Sequence, residues 1–248
     1  MLADDLRMGL DPVLFAQERL GITPDPWQER VLRWPGKRLL LNCSRQAGKS
    51  TVASVLVLHR AVFFPGSLSI LVSPSLRQSS ELFRKVAELL DRLRVKPKLL
   101  EENKLSFRLA CGSRVLSLPA SEATIRGFSG ADLIIEDESS RVPDDLYRAV
   151  RPMLAVSGGK MILMSTPFGK RGHFFEEWQR GLNWERIGAK ATDCPRIDPK
   201  FLEEERVSLG DWWFRQEYMC EFVETTDQVF SYEAIMGAMS AEVKPLFG

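Results

Sequence analysis

The chain has little of what several chemistries need. Its 248 residues hold four cysteines and two histidines. Cys43, Cys111, Cys194 and Cys220 form no close CxxC pair, which argues against a zinc ribbon or a dithiol redox site. Reduced thiols in a cytosol-like compartment are expected. His59 and His173 stand far apart with no obvious second ligand, so a histidine metal site or a histidine-centred triad lacks support. The longest largely apolar stretch, Val52–Leu58, ends at His59 and Arg60, well below the roughly 20 residues that span a bilayer. The opening MLADDLRMGL is acidic and lacks the apolar centre of a signal peptide. A soluble protein with no membrane partner is expected. The net charge is only +1, so any contact with nucleic acid must rest on a local patch. No internal repeat or low-complexity tract interrupts the chain.

What is present reads as a folded domain. Apolar residues make up 44% and charged residues 27%, a globular mix in a length that suits one large domain or a domain with a small appendage. Arg38–Cys43, Leu68–Val72, Asp132–Glu136 and Lys160–Met164 read as buried strands. Lys49–Phe64 reads as a helix. So does Leu76–Leu93, where Leu76, Phe83, Val86, Leu89, Leu90 and Leu93 recur at helical spacing. Leu105–Leu109 and Arg114–Leu118, with Cys111-Gly112-Ser113 between them, read as a hairpin. Asp198 before Pro199 fits an N-cap with proline in the first helical position, for a helix running towards Leu209. Buried strands separated by helices predict an α/β fold, a mostly parallel sheet with helices on both faces. Ligands bind such sheets at the carboxyl ends of strands, so the chemistry is expected just after Cys43, Val72, Glu136 and Met164.

Cys43-Ser44-Arg45-Gln46-Ala47-Gly48-Lys49-Ser50 ends in GKS after a strand and opens a helix, the context of a phosphate-binding loop. The amides from Ser44 to Thr51 can cradle an anion, because loop and first-turn N–H groups have no helical acceptor. Lys49 would reach the β- and γ-phosphates of a nucleotide, and the Ser50 hydroxyl would ligate Mg²⁺. Cys43 stands where a first glycine is usual, and Ser44 could instead cap an ordinary strand–turn–helix. Leu133-Ile134-Ile135-Glu136-Asp137-Glu138 supplies the complement, an apolar strand running into acids. Asp137 would hold the Mg²⁺ and Glu138 would orient and deprotonate the attacking water. Three acids in a row leave the register open by one, with Glu136 the other candidate.

Taken in order, these motifs resemble those of the large terminase subunits, the motors that package DNA into viral capsids. SRQAGKS resembles the family's variant Walker A, in which the first glycine is often missing. IIEDE resembles its Walker B, with Asp137 and Glu138 in the metal and catalytic roles. Ser165-Thr166-Pro167 resembles the coupling motif, Pro26-Trp27-Gln28 the adenine-recognising Q-motif, and Arg126-Gly127 an Arg-Gly motif ahead of Walker B. Gln216-Glu217-Tyr218-Met219-Cys220-Glu221-Phe222 resembles the segment that closes the ATPase region. Each motif is short, but the ordered set is specific and runs from Trp27 to about Phe222. The resemblance implies a RecA/ASCE-like P-loop NTPase of a tailed bacteriophage, using ATP and Mg²⁺ to drive double-stranded DNA into a procapsid. It implies an ATPase domain with lid elements over 1–222, and over 223–248 a linker towards a nuclease domain that lies outside this chain. It also implies a homo-oligomeric ring, a portal protein and a small terminase subunit as partners, and the host cytoplasm as the location.

Several residues keep two readings. The Gln28 amide can both donate and accept, which suits an adenine edge. Trp27 can stack on the base or pack in the core. Thr166 sits where a strand end would face the γ-phosphate as a sensor, or is simply a turn before Pro167. Arg45 could stabilise developing charge in cis and Arg126 in a neighbour's site in trans; the resemblance favours Arg126 as the finger and Arg45 as a nucleotide-state sensor. Between Arg77 and Arg108 nine Lys/Arg stand against five Asp/Glu, and Arg92, Arg94, Lys96 and Lys98 alternate. That stretch could track a phosphate backbone or be a solvated helix end. Alternatives to a packaging ATPase are another nucleic-acid translocase of helicase type, for whose second RecA-like domain the chain has no room, and a nucleotide-gated assembly module without turnover.

Overall fold

The computed structural model describes residues 2–120, 127–224 and 232–239. Its strands are β1 (Arg38–Cys43), β2 (Leu68–Ser73), β3 (Leu99–Asn103), β4 (Ser106–Leu109), β5 (Arg114–Pro119), β6 (Leu133–Asp137), β7 (Lys160–Ser165) and β8 (Glu185–Ala189). They form one eight-stranded sheet in the order β3-β4-β5-β2-β6-β7-β1-β8. From β5 to β8 the strands pair in parallel. The β4 strand runs antiparallel to β5, and β3 antiparallel to β4. The four buried strands and the hairpin lie where the apolar runs put them, to within a residue at each end. The strands β3 and β8 went unread. They are the two sheet edges: β3 is exposed along its whole length and β8 buries only Ile187 and Ala189. Pairing more than burial makes them strands: β3 buries nothing and β8 only two small or branched residues around Gly188, too short a pattern to stand out in the sequence.

Alternate strand residues point to opposite faces, and each face has its own core. Leu39, Leu41, Leu133, Ile135, Ile162 and Met164 enter one. Leu40, Ile70, Ile134, Met161 and Leu163 enter the other. The first is covered by α2 (Pro12–Leu20), α3 (Pro26–Leu32), α4 (Lys49–Phe63) and α5 (Leu76–Arg92), the second by α6 (Asp144–Val150) and α7 (Gly172–Arg180); a first helix, α1 (Leu2–Leu10), packs on α2. Each fully buried leucine, isoleucine or phenylalanine contributes roughly 1.5–3 kcal/mol, so the sheet is held from both sides.

Local chemistry sets the helix ends. Asp11 accepts from the Val13 amide ahead of α2, and Gly21 closes that helix at φ 65°. Ser75 accepts from the Gln78 amide to start α5, which buries Leu82, Phe83, Val86, Leu89 and Leu90. Leu76, which fits the same spacing, is 59% exposed; it is the first residue of the helix. Asp198 accepts from the Lys200 amide and Pro199 opens α8 (Pro199–Glu217), as expected. That helix breaks at Gly210, φ 77°, so its first stretch does end near Leu209. A last helix, α9 (Tyr232–Ala238), buries none of its residues.

Candidate active site

The loop after β1 is built around two positive φ values, at Gln46 (59°) and Gly48 (97°). A Cβ on Gly48 would fall 2.7 Å from Nε2 of Gln28, so only glycine fits there. Cys43 needs no such freedom. It is the last residue of a strand, and its fully buried thiol is pushed up to about 12 by burial. Gly48 is the N-cap of α4, which leaves first-turn amides aimed out of the helix end. Ser44 caps nothing. Its amide donates to the Ala189 carbonyl at 2.9 Å and its hydroxyl to the Arg45 carbonyl at 3.2 Å. The Thr51 amide donates to the Gly48 carbonyl at 3.0 Å. Ser50 is half-buried in the first turn, next to Lys49.

Three distant motifs meet at one ammonium. Lys49 Nζ lies 2.7 Å from Glu138 Oε1 and 3.4 Å from Thr166 Oγ1. Burial works against its charge, but Glu138 and Asp137 outweigh it and its pKa is raised. Burial pushes the Asp137 carboxyl up to about 6; Lys49 pulls it down and Glu138 pushes it further up. The Glu138 amide donates to Asp137 Oδ1 at 3.0 Å. A buried acid held that high is stabilised by a cation. Asp137 and the Ser50 hydroxyl would be hard oxygen donors of the kind Mg²⁺ takes alongside substrate phosphates.

The pleat of β6 separates the three acids. Asp137 shares a face with Leu133 and Ile135, the face that α4 covers. Glu136 shares a face with Ile134 and is fully buried on the other side. Its Oε1 accepts from Ser139 Oγ and sits 2.6 Å from His173 Nε2. Glu138, just past the strand, turns back towards Lys49 in a left-handed conformation, φ 51° and ψ 42°. Asp137 and Glu138, not Glu136, therefore stand beside Lys49. His173, for which the sequence shows no obvious partner, has two acidic ones: Glu136 through Nε2 and Asp144 Oδ1 at 3.0 Å through Nδ1. Burial lowers the His173 pKa, but those two acids outweigh it and the net shift is upward. No spacing rule links positions 136, 144 and 173, so only the fold brings them together. Ser140 was missed likewise; its hydroxyl donates to the Thr166 carbonyl at 2.8 Å and lies 2.6 Å from Ser165 Oγ.

The Q-motif residues Trp27 and Gln28 are both buried, Gln28 against the phosphate loop. Trp27 is 5% exposed inside the first core, so its ring has no free face for a base; the packing alternative is the one the structure shows. Gln28 is also buried. Its Oε1 accepts from the Asp25 amide at 2.9 Å in a capping box, and its Nε2 reaches the Ala47 carbonyl at 3.4 Å. The amide thus braces α3 against the phosphate loop. Arg196 was not anticipated; it donates to the same Ala47 carbonyl at 3.0 Å and to Asp25 Oδ2 at 2.6 Å.

Arg45 is largely exposed and paired with Glu217 at 2.7 Å, and its amide donates to the Glu217 carbonyl at 2.9 Å. Asn42 Nδ2 donates to the Cys220 carbonyl at 2.8 Å. The segment from Gln216 to Phe222 is therefore a buttress for the phosphate loop. Arg126 lies outside the described residues. Along the basic stretch Lys96 pairs with Asp91 and Arg108 with Glu101. Arg92, Arg94 and Lys98 are exposed and form no ion pair among the described residues. No helix among the described residues is long and apolar enough to cross a membrane.

A phosphate loop after β1, acids after β6 and the strand β7 inserted between them define a P-loop NTPase of the ASCE kind. The chain belongs to the terminase large subunit family: residues 40–236 match the family model described as terminase large subunit, T4likevirus-type, N-terminal. It is 29% identical over 250 residues to the terminase large subunit of Thermus phage G20c, covering 86% of this chain and 52% of that protein. It is 30% identical over 230 residues to that of Escherichia phage T5, covering 88% of this chain and 51% of that protein. The chain thus spans about half the length of these relatives. The solved large terminase ATPase domain of Thermus phage P74-26 superposes with a TM-score of 0.76 at 26% identity, covering 86% of this chain and all of that one.

Proposed function

We propose that this chain hydrolyses ATP with Mg²⁺ and is the motor part of a packaging enzyme that moves double-stranded DNA into a procapsid. The observation that carries the reading is Lys49 within reach of both Glu138 and Thr166, one residue from each of three motifs. The likeness to a domain described as a terminase ATPase supports it. Lys49 and the first-turn amides of α4 hold the phosphates. Ser50 and Asp137 hold the Mg²⁺, which when bound neutralises charge on the phosphate oxygens. Phosphate oxygens compete with Glu138 for the Lys49 ammonium, and Glu138 so released orients the attacking water and takes its proton. Thr166, at the end of β7, reads the γ-phosphate. Arg126 of a neighbouring subunit in a ring, or Arg45 in cis, steadies the transition state. Portal protein and small terminase subunit are the partners this role needs. Arg92, Arg94 and Lys98 form no ion pair among the described residues and suit a DNA backbone, whose recognition is electrostatic and salt-dependent.

The test is Mg²⁺-dependent ATP hydrolysis across a range of protein concentrations, for wild type, Lys49→Ala, Glu138→Ala and Arg126→Ala. Turnover should rise faster than linearly with protein, vanish without Lys49 or Glu138, and fall in Arg126→Ala with nucleotide binding intact. Nucleotide binding with no turnover above a blank at any concentration would leave a binding module instead.

A further inference from the structure

Behind the acids that face Lys49 lies a second cluster, running from the buried Glu136 out to the exposed Asp144, that phosphate chemistry does not use. Glu136 is 0% exposed, and its Oε2 has no hydrogen-bond partner among the described residues. His173, in the first turn of α7, fills the space between Glu136 Oε1 at 2.6 Å and Asp144 Oδ1 at 3.0 Å. Asp144 also accepts from the His173 amide at 2.8 Å. The Tyr147 ring stacks on the imidazole at 4.4 Å between centroids and 8° between planes. Both ring nitrogens face carboxyl oxygens, an arrangement satisfied when both carry protons.

The cluster is tied directly to Glu138. Ser139, the next residue, bonds through Oγ to Glu136 and lies 3.0 Å from His173 Nε2. Ser140, one further on, is bonded to Ser165 and Thr166. The left-handed backbone at Glu138, uncommon for a residue with a side chain, is therefore held by two anchors. One is the coupling strand β7, the other the start of α7.

We propose that His173 is a positioning residue for hydrolysis: by pairing with Glu136 it holds the turn at Ser139 and so aims the Glu138 carboxyl at the attacking water. This rests on the ATP-hydrolysis reading above. A group that acts only on the aim of Glu138 lowers kcat and leaves the KM for ATP alone, and a misplacement of about 1 Å is worth about 100-fold in rate.

The experiment measures kcat, KM for ATP, binding of a fluorescent ATP analogue and Tm for the full chain. The variants are His173→Gln, His173→Asn, the double variant Glu136→Leu with His173→Leu, and Glu138→Gln as control. His173→Gln keeps an N–H near the Nε2 position towards Glu136 and should retain most of the turnover. His173→Asn keeps only the Asp144 side and should lose 10- to 100-fold in kcat at unchanged KM. The double variant removes both polar groups, so its Tm should recover towards wild type while kcat stays low. Recovery of kcat together with Tm would reduce His173 to a structural residue and overturn the proposal, as would wild-type kcat in His173→Asn. Hydrolysis that is absent in wild type, or unchanged in Glu138→Gln, would instead bring down the hydrolysis reading, and this inference with it.

Discussion

Glu136 and Glu138 are two residues apart and live in different worlds. Glu138 sits at the mouth of the phosphate loop, partly open to solvent and paired with a lysine that a nucleotide can claim. Glu136 is sealed in the opposite core, paired with a histidine that Asp144 and Ser139 also hold. One carboxyl is placed to change partners during a reaction; the other is placed never to do so. The difference teaches that a row of acids after a strand need not be a single site, because the pleat deals neighbours to opposite faces.

The sharpest way to break that contrast is Glu138→Gln. If Glu138 is the base proposed above, its loss should cut kcat by about 10²–10⁴-fold with ATP still bound, while Glu136→Gln in an otherwise intact chain should cost far less turnover; equal losses in a steady-state assay would erase the distinction. Next comes His173→Leu, which leaves the buried Glu136 without its cationic partner, bonded only to Ser139. A broken buried pair costs roughly 3–5 kcal/mol, so Tm should drop by about 10 °C, and a drop of under 2 °C would show that Glu136 does not depend on the histidine.

A smaller effect concerns Asp137, whose pKa rises from an ordinary 3.8 to about 6 in the fold. Its folded pKa lies above its unfolded one, so its contribution favours the fold at low pH and is lost as pH climbs from about 4 to about 6. Above that window Asp137→Asn should stabilise the protein, without Mg²⁺ or nucleotide, by on the order of 3 kcal/mol. Below pH 4 it should change little, and Mg²⁺-ATP should no longer raise Tm in the variant. Thermal scans at pH 8 and pH 4 check this; equal shifts at both would refute it. The smallest effect is expected from Trp27→Phe. A core ring traded for a smaller ring should cost about 1 kcal/mol and leave the KM for ATP unchanged, whereas a KM raised tenfold would restore the stacking role.

Much of this was legible beforehand. The strands β1, β2, β6 and β7 are apolar runs because both their faces are buried, and such runs announce themselves. The helix start at Pro199 and the hairpin around Gly112 follow from capping and turn chemistry within a few residues. Lys49, Ser50, Asp137, Glu138 and Thr166 could be nominated because each lies at the carboxyl end of a readable strand. The edge strands β3 and β8 could not, since only their neighbours make them strands.

The chain's order of residues alone determined which loops to nominate for phosphate chemistry and which family they resemble, because those signals are local: a Gly-Lys-Ser after a strand, acids after an apolar strand, a lysine opening a helix. Only the tertiary structure decided which acid faces that lysine, that Trp27 is core, that Arg196 and Gln28 share one carbonyl, and that His173 stands between Glu136 and Asp144. Those facts depend on strand parity, sheet order and helix placement, which join positions too far apart in the chain for any spacing to record.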